Sequence, residues 1–120
     1  MDDDDRLIKA LAFANYKSTM VSQRENLKLR FANAMLHAHN GGIFTVSTAL
    51  LAMVDVLTRH EQISGVLIDD KGIPIHIADL ADFMQDILAI YGEATNDYLM
   101  AWDVLKKARS VEAIIEKVER

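Results

Sequence analysis

The stretch Gly65-Val66-Leu67-Ile68-Asp69-Asp70-Lys71-Gly72-Ile73-Pro74-Ile75-His76-Ile77 most constrains what this chain can fold into. Two short, β-branched apolar runs flank Asp-Asp-Lys-Gly, and Gly72 can take the positive φ that a tight turn needs. The stretch reads as a β-hairpin over 65–77. It separates two long segments of helical periodicity. Pro74 has no N–H to give a ladder, so its strand is expected at a sheet edge or with Pro74 at a non-bonded position. A lone hairpin is marginal in water. The short run 43–46, Ile-Phe-Thr-Val, is therefore a candidate third strand, giving a hairpin or a three-stranded sheet.

The segment 4–39 lacks Pro and Gly. Its apolar residues Phe13, Tyr16, Met20, Leu27, Phe31, Ala34 and Ala38 recur three or four apart except across Ser22–Asn26. One helix with a solvated waist is expected, a break into two being the alternative. Asn40-Gly41-Gly42 suits a helix C-terminus, where a left-handed residue is tolerated. Ser47 is an N-cap for a helix over 48–60. Its apolar residues run nearly all round, so it is expected to be the most buried helix. Asp79 caps a second long helix over 79–109, and Ser110 a short amphipathic helix over 111–118. In the long one, Leu80, Met84, Ile87, Tyr91, Ala94, Tyr98, Ala101, Leu105 and Ala108 alternate four and three apart, the coiled-coil spacing. Gly92 interrupts this helix and suggests the close approach of another backbone. The expected fold is α+β and mostly α, a single domain over 1–120. It has two long helices as a stalk or an antiparallel pair, a buried helix, the small β element and a short C-terminal helix.

Magnitudes add a consequence. A helix of 30 residues spans about 45 Å and one of 36 about 54 Å, whereas a compact domain of this size is roughly 35 Å across. Apolar stripe left over invites self-association or a partner protein. The expected interface is Met84, Ile87, Tyr91, Tyr98, Trp102 and Leu105.

Charge and composition narrow the chemistry. With Lys+Arg 13 against Asp+Glu 18, the net charge is −5. That argues against a large nucleic-acid footprint, whose phosphates need neutralising. The basic group Lys17, Arg24, Lys28 and Arg30 is expected to pair within the protein, with Glu25 among its partners. The chain has no cysteine, hence no thiolate zinc site and no cysteine nucleophile. The acidic start Met1–Asp5 lacks the features of a secretory signal. The most apolar window, 43–57, is too short to span a bilayer, so a cytoplasmic protein without membrane contact is expected. His37 and His39, if helical, point away from each other and form no ligand pair. His76 with Asp69 and Asp70 lacks metal-ligand spacing. The pair Asp69-Asp70 could do acid–base work, but Asp is also a preferred turn residue. No catalytic, cofactor or metal residue is expected.

Three motifs carry a resemblance: Asn40-Gly41-Gly42-Ile43-Phe44-Thr45-Val46, the hairpin Val66–Ile75, and Glu93-Ala94-Thr95-Asn96-Asp97-Tyr98. Together they look like small proteins encoded by large contractile-tailed phages, including those of marine cyanobacteria. The resemblance covers most of the chain and brings no site residues. It implies a phage-encoded protein, associated with the virion or its assembly, in the virion or the host cytoplasm. The function expected is non-enzymatic binding of other protein chains. A small regulator of a host or phage protein is the alternative, and an enzyme with a site near the hairpin the second.

Overall fold

The computed structural model describes the backbone of residues 2–119 and the side chains of residues 3–108. The chain is mostly helical, 69%, with two small antiparallel sheets of two strands each. The order is α1 (Asp2–Ala34), β1 (Leu36–His39), β2 (Gly42–Thr45), α2 (Thr48–Arg59), β3 (Gly65–Ile68), β4 (Pro74–Ile77) and α3 (Leu80–Glu119). Two compact units emerge: residues 31–97, and residues 1–30 with 98–120.

Within 31–97, α1 ends earlier than its helical spacing suggests. Residues 36–39 are a strand, and Asn40-Gly41 is the two-residue loop of a first hairpin. Asn40 and Gly41 have φ of 47° and 82°, the doubly left-handed turn that Asn-Gly favours. Its register pairs His39 with Gly42 and His37 with Phe44. β3 and β4 form the second hairpin, with Gly65 opposite Ile77 and Ile68 opposite Pro74. Gly72 sits at φ 79° in its loop, as its place after Asp-Asp-Lys requires.

The expected third strand is replaced by something else. The first hairpin's register leaves the N–H and C=O of Ile43 and Thr45 pointing outward. The second hairpin's loop meets them. Asp70 donates its N–H to the Ile43 carbonyl at 2.9 Å. The Asp69 carboxylate accepts from Ile43 N–H at 3.2 Å, and that of Asp70 from Thr45 N–H at 3.0 Å. Two carboxylates and one amide thus satisfy an edge that a strand would otherwise pair. Asn40 adds a tie, donating its side-chain N–H to the His76 carbonyl at 3.1 Å.

The core of this unit gathers Phe44 and Val46 from β2 and its exit, Val54 from α2, Leu67 from β3, Ile75 and Ile77 from β4, and Leu80, Phe83 and Ile87 from α3. Ser47 caps α2 by accepting the Leu50 N–H at 3.1 Å. This helix is less buried than its composition suggests. Val54 is its one fully buried residue, while Met53 and Val56 are exposed. Apolar residues all round a helix do not bury it when only one side has a neighbour.

In the other unit, α1 runs unbroken through Ser22–Asn26. α3 passes straight through Ser110, so residues 111–118 belong to it and form no separate helix. Their side chains, including the expected apolar face, lie outside the described residues. Tyr16, Met20, Arg24 and Leu27 of α1 are half-buried, and the residues between them are exposed. Among the described residues no helix is long and apolar enough to cross a membrane.

Candidate functional site

The polar residues of unit 31–97 serve the fold first. Asp69 is buried, yet every near neighbour of its carboxylate is a donor. Oδ1 accepts from Ile73 N–H at 2.8 Å and Lys71 N–H at 3.0 Å, and Oδ2 from Ile43 N–H. The Ile73 bond foremost holds the carboxyl below the usual range, against the opposing pull of burial. The bonds from Ile43 and Lys71, and the Lys71 charge, act in the same direction as Ile73. Asp70 also accepts the Thr45 hydroxyl. The donors around the Asp69 carboxylate stabilise its ionised form. Both carboxylates join the two hairpins.

The histidines sit differently from their helical reading. On a strand, residues two apart share a face, so His37 and His39 lie side by side, ring centroids 5.8 Å apart. Both meet the Phe83 ring edge-on, at 5.4 and 5.2 Å. Phe44 packs on the same ring at 5.4 Å. His37 Nε2 is buried without a hydrogen-bond partner. Among the described residues no group of three or more His, Asp or Glu is placed to hold a metal. Desolvation lowers the pKa of His37; Asp86 raises it and His39 lowers it further. The unfolded chain therefore takes up this proton first as pH falls. The stability tied to neutral His37 is fully present above its ordinary pKa, about 6.5, and is lost as pH falls through the lower folded value. The unfolding midpoint is expected to drop as pH falls below about 6.5, and His37→Asn to flatten that dependence. Denaturant titrations across this range check it.

The residues expected at an interface divide between the two units. In 31–97, Ile87 is fully buried and Met84 packs against the core, while Tyr91 is 39% exposed. In the other unit, Tyr98 and Trp102 stack 6.0 Å apart with planes 9° from parallel. The Arg24 guanidinium lies over Trp102 at 5.8 Å. A cavity of about 160 Å³ is lined by Met20, Arg24, Trp102, Leu105 and Lys106. Leu105 itself is buried. Trp102 and Leu105 thus face Met20 and Arg24 of α1, and Tyr98 stacks on Trp102. Ile87 is taken by the core. Surface remains elsewhere: Leu99, Met100 and Val104 on α3 are 56, 67 and 69% exposed. A side chain at Gly92 would meet open space, so no close approach among the described residues explains that glycine. Of the basic group, Lys28 pairs with Glu25 at 3.4 Å, and Lys17 stands over Phe13.

No family model, no curated protein and no solved structure matches this chain.

Proposed function

We propose that this chain is a non-enzymatic protein-interaction or assembly protein, working through apolar helical surface of the unit built from residues 1–30 and 98–120. The observation that carries the reading is the exposure of Leu99, Met100 and Val104 on α3. Met100 and Val104, four apart, lie on the side of the helix away from Tyr98, Trp102 and Leu105, which are half-buried or buried, and Leu99 sits between the two sides. Exposed apolar clusters of this kind lose about 25 cal/mol per Å² to water and are characteristic of protein contacts. The engagement of Asp69 and Asp70 by backbone donors supports a structural role for the polar pair nearest the hairpin tip. The phage-like motifs support a phage-encoded protein that acts in virion assembly or in the host cytoplasm.

The test is retention of source-cell proteins on the immobilised chain. The double variant Met100→Glu/Val104→Glu is expected to lose what the wild type retains, with its thermal unfolding unchanged. Retention that survives both substitutions would take the binding surface off this face.

A further inference from the structure

We infer that two copies of this chain pair through the back of α1, antiparallel, each covering an apolar seam on the other. The inference deepens the binding reading above, but it uses a different face and a stated occupant.

α1 carries two stripes. Tyr16, Met20, Arg24 and Leu27 are half-buried on one side. On the opposite side Leu7, Leu11, Ala14, Ser18 and Val21 are spaced four, three, four and three apart, and all are exposed. Leu7, Leu11 and Val21 keep 59, 55 and 57% of their surface in water. Extending the same alternation adds Asp4 at one end, and Glu25 and Lys28 at the other. The heptad spacing is therefore unbroken from Asp4 to Lys28, about 36 Å of helix. Helical spacing places these residues roughly half a turn from the stripe that is already covered.

The charges choose the occupant and its direction. In a parallel pair, Asp4 would face Asp4, Glu25 would face Glu25 and Lys28 would face Lys28, and every charged layer would repel. In an antiparallel pair with Leu11 opposite Val21, Ala14 falls opposite Ser18 and Asp4 opposite Lys28 of the second copy. The seam then maps onto itself, as a two-fold interface must. Its ends become opposite-charge pairs, and its middle holds the two small residues that let helices approach closely. Leu7 meets the stem of Glu25, whose carboxylate lies beside Lys28 of its own helix. A second copy therefore fits this face in one orientation and is rejected in the other.

The chain has no cysteine, so engineered disulfides report the geometry cleanly. Leu7→Cys and Glu25→Cys are made separately in the full-length protein. The antiparallel pair predicts that an equimolar mixture cross-links under mild oxidation. Each variant alone stays uncross-linked, since its two thiols lie about 27 Å apart along the axis. In sedimentation, Leu11→Glu is expected to raise the dimer dissociation constant about tenfold or more. Asp4→Lys weakens the dimer, and adding Lys28→Asp restores it. Cross-linking of either variant with itself would overturn the proposal. So would a wild-type protein that remains monomeric at high micromolar concentration. An assembly lost in Met100→Glu/Val104→Glu but untouched by Leu11→Glu would remove this interface while leaving the binding reading in place.

Discussion

Phe83→Ala is expected to destabilise unit 31–97 by about 3–5 kcal/mol. Phe83 is 1% exposed, at the start of α3. Its ring is the common contact of His37, His39 and Phe44, with centroids between 5.2 and 5.4 Å away. Truncation removes three edge-to-face contacts along with the buried area. It also leaves a cavity beneath the first hairpin that two polar imidazoles would line. The hairpin has only two strands and cannot collapse to fill it without leaving its ladder. A small domain is stable by about 5–15 kcal/mol in total, so the loss would be roughly a fifth or more of the whole. Denaturant unfolding of the variant measures it, and a change below about 1 kcal/mol would mean that Phe83 does not hold the hairpin.

The second large effect comes from crowding rather than loss. Gly42 opens β2, and a Cβ there would lie 2.6 Å from Ile75 Cγ1 and 2.9 Å from its Cδ1. The two hairpins meet at this point, bound by the Asp69 and Asp70 contacts to Ile43 and Thr45. Ile75 is buried and cannot swing out to make room. Gly42→Ala is therefore expected to cost about 1–3 kcal/mol, although its methyl is apolar and suits a strand. The distinguishing result is a coupling. Ile75→Ala alone costs about 2–5 kcal/mol through its cavity. Combined with Gly42→Ala, it is expected to cost less than the sum, because the new methyl enters the space that Ile75 vacates. Strict additivity in a double-mutant cycle would show that the two backbones do not meet here.

Local chemistry made much of this fold legible. Asp-Asp-Lys-Gly between two β-branched runs marks the second hairpin, and Gly72 takes the left-handed conformation that the turn needs. Ser47 and the spacing after it mark α2, and the alternation from Leu80 onward marks α3. The first hairpin is not legible locally, because Leu36-His37-Ala38-His39 continues the helical spacing of α1. Asn40-Gly41 ends a helix as readily as it turns a hairpin. The available signal was the dipeptide itself, flanked by Ala38 and Ile43 with only two residues between the strands. That ambiguity hides the histidine pair, which shares a face on a strand and not on a helix. The Asp69 and Asp70 contacts were beyond local reading, since they join residues 25 and 26 positions apart.

The stripe on α3 was read correctly as apolar, but its use depends on a neighbour. Periodicity shows which residues share a face and leaves open whether that face meets α1 or another molecule. Arg24, half-buried and placed over Trp102, answers this for Trp102 and for Leu105 in the same cavity wall. The same spacing on the back of α1 has no such cover. Exposure separates two stripes that sequence alone treats alike.

The proposed binding of protein chains, a second copy included, through exposed helical faces has a direct solution test. Sedimentation velocity of the wild-type protein over rising micromolar concentration tests it most directly. The account predicts a boundary that moves faster as concentration rises, and that slows again when Leu11 is replaced by Glu. A single monomeric boundary at every concentration, for wild type and Leu11→Glu alike, would contradict it.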